Sequence, residues 1–350
     1  MVWCFNLVTA GDKLINGSSF GGFVATKQLH ISRSPEAGGG VSDYPVENIL
    51  CGINSYEICQ ASFPSNTEVT LDAQNNEGYE FSHWEINDLA MADVDGSIDV
   101  AMSEDKNVVA VFYLKADDFV FPVLADGTTD PLLNKFNPIE DGWSGPGVGE
   151  YSAAAGHLGQ DYVMNYNNGD GNAAGEPVYS IANGTIVEVI NNQNTLYGWC
   201  NDSDHGWGPV VVIRHENRDG FNTNGSIIAS SCATETNPTV IYSLYGHLSK
   251  TSIQNLQIGQ VVHKGDPLGE LGTPGTDWST TINMPAHLHF EIKDEVGFNE
   301  KAWYYNPINW GVCPGSASQS CGAEGIGTGY SHSPGFAPHR YSPDEFIFNN

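Results

Sequence analysis

Apolar residues along this chain cluster in short runs, some of which alternate with polar residues, and turn residues separate the runs. Three runs lie in the first third of the chain, at 68–73, 79–84 and 108–113. Six more follow in the second half, at 177–182, 185–190, 209–214, 240–245, 260–263 and 287–292. Short runs rich in β-branched and aromatic residues and bounded by Gly, Pro and Asn are typical of β-strands. No segment keeps a helical period over three turns, so the pattern predicts an all-β protein with antiparallel sheets.

Asn183 and Gly184 separate two of these runs. An Asn-Gly pair readily supplies the positive φ angles of a type I′ turn. We therefore expect residues 177–182 and 185–190 to pair as a hairpin.

Composition shifts divide the chain between the strand runs. The opening residues are rich in Gly and Ser, and three prolines interrupt the region before the second group of strands. The predicted division is a flexible leader at 1–28, a small all-β module at 29–115, a linker that straps onto the next domain at 116–142, an antiparallel β-sheet domain with long loops at 143–312 and a Gly/Ser/Pro-rich tail at 313–350.

The chain is strongly acidic, and this limits its partners. Its 350 residues include 13 Lys and Arg against 42 Asp and Glu, a net charge of −29. A surface that follows phosphates needs a basic stripe, so nucleic acid and anionic lipid are excluded. No run approaches the roughly 18 consecutive apolar residues of a membrane span. The start lacks the basic residues of an ordinary signal peptide, and we expect a trimmed or truncated N-terminus. No feature indicates an oligomeric state.

Seven cysteines lie at positions 4, 51, 59, 200, 232, 313 and 321, and none forms the C-x-x-C pair typical of structural zinc. The short separations predict local disulfides between Cys51 and Cys59 and between Cys313 and Cys321. Cys4 is the odd residue and is predicted to be free. Disulfides persist in oxidising compartments, so the protein is expected outside the cytoplasm.

Histidine and aspartate recur at two spacings that suit a metal site. His157 and Asp161 are four residues apart, which brings both to one side of a strand or a helix. His287 and His289 alternate along a predicted strand, where residues i and i+2 share a face. A second H-x-x-x-D starts at His215, where an apolar strand runs into a Gly turn, and we interpret it as a solvated loop. The histidines assigned to structural or surface roles are His83, His205, His215, His263 and His332.

The order of the motifs is more specific than any one of them. Gly-His-Leu-Gly-Gln-Asp-Tyr stands at 156–162, Gly-Glu-Pro-Val-Tyr-Ser-Ile-Ala-Asn-Gly-Thr-Ile-Val at 175–187, Tyr-Gly-His-Leu at 245–248 and His-Leu-His-Phe-Glu-Ile at 287–292. In this order they resemble the lysostaphin/LytM family of zinc metalloendopeptidases, over about residues 150–310. The resemblance implies the duplicated-hybrid-motif β fold of a bacterial cell-wall enzyme.

The resemblance also implies a role for each site residue. It implies one zinc ion per chain, held by His157, Asp161 and His289. His247 and His287 then lie beside the attacking water as hydrogen-bond donors and general acid/base groups. Three protein ligands leave a position for water, whose pKa zinc lowers towards ~7, and no organic cofactor is needed. The implied function is hydrolysis of peptide cross-links in bacterial peptidoglycan.

A second resemblance covers the first module. The string from Leu50-Cys51-Gly52 through Cys59, with Gly-Tyr-Glu-Phe-Ser-His-Trp at 78–84 and Val-Val-Ala-Val-Phe at 108–112, resembles the divergent bacterial surface repeat related to internalin B-repeats. Such modules occur on secreted and wall-associated proteins, and their ligands are mostly unknown. A spacer without a ligand is an equal alternative.

Departures from the family pattern keep other functions open. The family's Phe-Gly-x-Arg stretch is missing, because no arginine lies between Arg33 and Arg214. Two loops inserted relative to the family carry Cys200 and Cys232, which are predicted to pair. A catalytically inactive scaffold or activator of another hydrolase is the main alternative, although such proteins lose metal ligands and all five positions are filled here. A metallo-β-lactamase or an α-type carbonic anhydrase would leave the 156–162 motif unexplained.

Overall fold

The computed structural model describes residues 24–43, 46–91, 95–124, 156–157, 159–163, 173–191, 208–224, 226, 237–277, 285–295, 298, 330–331 and 340–350. Strands make up nearly all of the regular structure in these ranges, and the sheets of the larger unit are antiparallel, so the predicted all-β fold is confirmed. The described residues form two compact units, the first from 24–74 and 82–111 and the second from 75–81 and 112–350. No helix within the described ranges has both the length and the apolar character needed to cross a membrane.

Two five-stranded sheets form the first unit. Its strands are β1 (Thr26–Ser34), β2 (Gly39–Ser42), β3 (Leu50–Ile53), β4 (Tyr56–Ile58), β5 (Gln60–Pro64), β6 (Glu68–Asn75), β7 (Tyr79–Ile86), β8 (Leu89–Ala90), β9 (Ser97–Ala101) and β10 (Lys106–Leu114). The sheet orders are β5-β1-β10-β7-β8 and β4-β3-β2-β6-β9. The three strands predicted in this part of the chain are present as β6, β7 and β10. β1 includes the last residues of the predicted leader.

The predicted disulfide between Cys51 and Cys59 is present in the first unit. It links β3 to the residue between β4 and β5. The other predicted pairs, Cys200–Cys232 and Cys313–Cys321, lie outside the described residues, as does Cys4.

A seven-stranded antiparallel sheet organises the second unit. The elements are β11 (Gly156–His157), β12 (Gln160–Val163), β13 (Pro177–Tyr179), β14 (Gly184–Ile190), β15 (Val210–Glu216), β16 (Val240–Gly246), β17 (Val261–Val262), β18 (Pro267–Glu270), β19 (His287–Asp294), β20 (Tyr330–Ser331), β21 (Arg340–Tyr341) and the helix α1 (Pro343–Asn349). The sheet order is β12-β19-β16-β15-β14-β17, and β21 also pairs with β19. Within the described residues, two small sheets, β11-β20 and β13-β18, also belong to the unit.

The main core lies on one face of this sheet. Leu288, Phe290 and Ile292 alternate along β19 and are all fully buried in that core. Phe119 and Phe121 pack into it from the first residues of the predicted linker. This part of the predicted linker therefore lies in the second unit, and residues 125–142 lie outside the described ranges.

The predicted hairpin at Asn183-Gly184 is wrong. β13 pairs with β18, whereas β14 pairs with β15 and β17, so the two strands belong to different sheets. Gly184 does not adopt a left-handed φ angle, and its role is steric. A Cβ atom there would lie 2.6 Å from Ile213 Cγ2 and 2.7 Å from the carbonyl oxygen of Arg214. Glycine is thus required because β15 approaches closely.

Residues 340–350 also differ from the predicted tail. β21 pairs with β19, and α1 follows it directly. Tyr341 and Phe346 are fully buried in the main core. This segment is therefore a structural part of the second unit.

His215 is buried, which corrects its interpretation as part of a solvated loop. It lies on β15, with its side chain wholly shielded from solvent. Its Nδ1 donates to the carbonyl oxygen of Asn183 at 2.8 Å, and its Nε2 lies 2.7 Å from Ser243 Oγ. Burial lowers the pKa of His215 from 6.5 to about 4, against the opposing effect of the Asn183 hydrogen bond.

This buried imidazole should make the second unit sensitive to acid. The unfolded state binds a proton at His215 below about pH 6.5, whereas the folded state does so only near pH 4, so stability is lost as the pH falls through this window. The loss attributable to His215 should reach about 3 kcal/mol. Urea unfolding of zinc-free protein between pH 7 and pH 4 measures it. His215→Asn should flatten the slope, whereas His263→Asn, which changes an exposed imidazole, should not. Equal slopes in wild type and His215→Asn would contradict this assignment.

Candidate metal centre

The candidate site is built on the face of β19 opposite the main core. His287, His289, Glu291 and Lys293 occupy alternate positions of this strand and therefore point to one side. All four are buried, with at most 3% of each residue exposed. These four buried polar side chains need hydrogen-bonding or ionic partners, because burying an unpaired charge costs much free energy.

The edge strand β12 brings Asp161 beside His289. The two residues are directly opposite in the antiparallel ladder. His289 Nδ1 lies 3.0 Å from Asp161 Oδ1, and Asp161 is itself 4% exposed. His287 Nε2 is 3.7 Å from Asp161 Oδ2. These contacts bring Asp161, His287 and His289 together.

Glycines on both sides make room for the His289 ring. Gly246 of β16 is its partner in the ladder, so no side chain stands across from it on that strand. A Cβ atom on Gly159 would come within 2.6 Å of His289 Nε2 and of the carbonyl oxygen of Phe290. Glycine is therefore required at position 159 for steric reasons, because the Phe290 backbone cannot easily move away.

His247 joins the group from the end of β16. It has a positive φ angle of 63°, which turns the chain immediately after Gly246. Its ring centroid lies 4.6 Å from that of His287 and 6.2 Å from that of His289. His287 Nδ1 donates to the carbonyl oxygen of Pro285 at 2.9 Å. A carbonyl only accepts, so in the neutral ring of His287 the nitrogen without a proton is Nε2.

His157 is placed by its backbone alone. It lies on β11, which pairs with β20 so that His157 is opposite Tyr330. Its side chain lies outside the description, and its predicted role as a ligand stays a prediction.

Two charged residues of the site were not selected from the sequence. Glu291 Oε1 lies 3.2 Å from His289 Nε2, and Glu291 Oε2 lies 3.3 Å from Lys293 Nζ. The side chains of Glu291 and Lys293 are completely buried. A signal was present, because charged residues continue the spacing of the two histidines along one strand face. Asp161, His289, Glu291 and Lys293 form what we call the buried polar row.

The buried polar row sets the charge state of His289. Burial by itself lowers the pKa of this imidazole. Hydrogen bonds to Asp161 and Glu291 outweigh that effect and raise the pKa to about 9. The two carboxylates therefore favour positive charge at this point of the site.

The donor chemistry fits a zinc ion. Zinc in proteins is bound by imidazole nitrogen and carboxylate oxygen. A zinc-bound histidine usually has its second ring nitrogen hydrogen-bonded to a carboxylate or carbonyl. In His289, Nε2 lies beside the carboxylate of Glu291, and Nδ1 faces Asp161, the other proposed ligand.

Comparison with known families agrees with both resemblances found in the sequence. Residues 157–304 match the family model described as Peptidase family M23. Residues 52–116 match the model of the Divergent InlB B-repeat domain. The predicted resemblance to lysostaphin/LytM-type peptidases, preceded by a divergent InlB-repeat-like module, is confirmed. No curated protein sequence matches the chain.

Solved peptidase structures are similar to parts of the chain. The solution structure of lysostaphin is 25% identical over 44% of this chain and 44% of its own length, with a TM-score of 0.25. A zinc-containing peptidase from Vibrio cholerae is 16% identical over 69% of this chain and 49% of its own, with a TM-score of 0.28. The catalytic domain of lysostaphin from Staphylococcus simulans is 24% identical over 43% of this chain and 80% of its own length, with a TM-score of 0.25. The chain thus spans less than half of the first two proteins.

Proposed function

We propose that the second unit is a zinc-dependent endopeptidase that hydrolyses peptide cross-links of bacterial peptidoglycan. The match of residues 157–304 to peptidase family M23 supports cleavage of peptide bonds. The proposed metal dependence rests on the buried pair of Asp161 and His289. The Nε2 atom of His289 lies beside Glu291. His157, Asp161 and His289 are the proposed ligands of one zinc ion per chain.

The proposed chemistry divides between the ion and two histidines. Bound zinc supplies a Lewis acid and lowers the pKa of water towards ~7. His287 accepts a proton from the attacking water at Nε2, because its Nδ1 is committed to the carbonyl oxygen of Pro285. The same nitrogen then donates that proton to the leaving amide nitrogen. His247, whose ring faces that of His287, donates a hydrogen bond to the oxyanion that develops on the scissile carbonyl.

The proposed location is outside the bacterial cytoplasm. The Cys51–Cys59 disulfide supports an oxidising compartment. The repeat match at 52–116 supports attachment or spacing at the cell surface. Both observations agree with a cell-wall substrate.

Zinc content and cleavage products test this function together. After reconstitution, elemental analysis should find one zinc per chain. Incubation with peptidoglycans of several cross-link types should release fragments whose masses and new amino groups identify the cleaved bond. Asp161→Ala, matched with Asp266→Ala on a loop, should abolish both zinc content and release. Absence of zinc in a folded protein, or full release in excess chelator, would overturn the proposal.

A further inference from the structure

The 340–350 segment packs beside the candidate metal centre although the match to peptidase family M23 ends at residue 304. β21 pairs with β19 at Ile292 and Lys293. β12 pairs with β19 at residues 287–290, and β16 occupies the opposite edge of that strand. β12 and β21 therefore follow one another along the same edge of β19.

Buried contacts hold this segment firmly. The Phe346 ring lies 5.6 Å from that of Phe119 and 5.8 Å from that of Phe221. Tyr341 is fully buried next to Phe346, with ring centroids 5.3 Å apart. The amide nitrogen of Ser342 donates to the carbonyl oxygen of Ser226 at 2.8 Å. The segment is a fixed support on which a neighbouring strand can be anchored.

One hydrogen bond connects this support to the strand that carries Asp161. The hydroxyl of Tyr162 donates to Asp344 Oδ1 at 2.6 Å, and Tyr162 is 1% exposed. Tyr162 directly follows Asp161, and successive residues of a strand face opposite sides. Tyr162 therefore anchors β12 on its core side, while Asp161 faces His289 on the other.

Strand β12 needs such an anchor. It is four residues long, and among the residues that the structure describes it lies at the edge of its sheet with β19 as its one strand neighbour. Short edge segments with few contacts open locally at a lower free energy than the core strands do. Any opening of β12 would carry Asp161 away from His289.

We propose that Tyr162 and Asp344 are positioning residues of the metal centre, whose hydrogen bond couples the 340–350 segment to β12 and holds Asp161 opposite His289. The proposal rests on the zinc site of the proposed function. In this proposal the 340–350 segment, which lies after the residues matched by the family model, holds the ligand Asp161 in position before zinc binds. β20, which precedes this segment in the chain, pairs with β11 and so lies beside the strand of His157, a second proposed ligand.

Substitutions at Asp344 test the coupling. Asp344→Ala removes the acceptor, whereas Asp344→Asn keeps an Oδ1 that accepts from Tyr162. Glu345→Ala, which removes an exposed carboxylate one residue along the same helix, is the matched control. Two quantities are measured: zinc affinity, by competition with a chromophoric chelator, and amide hydrogen exchange of residues 160–163 in zinc-free protein.

Asp344→Ala should weaken zinc binding about tenfold, in the range known for residues that support metal ligands. It should also speed exchange in β12 while β16 and β19 stay protected. Asp344→Asn and Glu345→Ala should resemble wild type in both measurements. Tyr162→Phe, which removes only the hydroxyl, should reproduce Asp344→Ala if the latter variant folds poorly.

Unchanged zinc affinity and exchange in Asp344→Ala and Tyr162→Phe would overturn the proposal. A uniform loss of protection across β16 and β19 would also overturn it, because that result indicates global destabilisation alone. Wild-type protein that binds no zinc would overturn the proposed function, and the exchange rates would still decide whether Asp344 holds β12.

Discussion

His289→Ala should lose zinc, whereas His287→Ala should keep zinc and lose turnover by about 10²-fold or more. His289 Nδ1 lies 3.0 Å from Asp161 within the proposed ligand set, so its removal leaves the ion with too few protein donors. His287 is bonded to the carbonyl of Pro285 and acts on protons, so its removal costs transition-state stabilisation without removing a ligand. His247→Ala should behave like His287→Ala. Zinc content and cleavage rate are measured on each variant.

The matched control for these variants is His263→Ala, which changes an exposed imidazole on a loop and should alter neither quantity. Zinc release from His287→Ala with retention in His289→Ala would reverse the two role assignments. Wild-type rates in all three site variants would end the enzyme proposal.

Lys293→Met should destabilise the second unit by about 3–5 kcal/mol, which is a large share of a domain's stability. The ammonium group is completely buried and lies 3.3 Å from Glu291, which it helps to compensate. Lys293 also opposes the rise that burial causes in the pKa of Glu188. Replacing the cation leaves the buried carboxylate of Glu291 without its partner and removes a positive charge that acts on the partly buried Glu188. Urea unfolding of zinc-free protein measures the loss.

A double-mutant cycle separates charge from packing in this prediction. Glu291→Gln combined with Lys293→Met should recover part of the stability lost in Lys293→Met, because no carboxylate then faces the missing cation at that point. Lys106→Met, at a surface pair with Glu104, is the control and should change stability little. If the double variant is no more stable than Lys293→Met, the loss reflects packing of the lysine stem.

The period-two pattern predicted much of the site because one strand carries most of it. Along β19 the apolar residues Leu288 and Phe290 pack in the core, and His287 and His289 share the other face, as alternation requires. Glu291 could have been added by the same reasoning, since it continues that face. Asp344 could not, because 182 residues separate it from Tyr162 and no local pattern links them.

The Asn183-Gly184 pair shows that a dipeptide typical of a hairpin turn can serve another structural role. The dipeptide favours a hairpin turn in an isolated segment. Here the side chain of Asn183 donates to the carbonyl oxygen of Lys115 and accepts from the amide of Lys264, and Gly184 admits a neighbouring strand. These demands come from residues distant in the sequence, which the dipeptide itself does not reveal.

The contact between Phe119 and Phe346 also constrains how the second unit folds. Their ring centroids are 5.6 Å apart although 346 − 119 = 227 residues separate them. Contacts this distant along the chain form late and slow folding, because a long loop must close before they contribute. During synthesis, the core that Phe119 belongs to cannot be completed until residues 341–346 have left the ribosome. The second unit is therefore expected to finish folding after translation of this region, whereas no contact with that region is needed to pair β1 with β10 in the first unit.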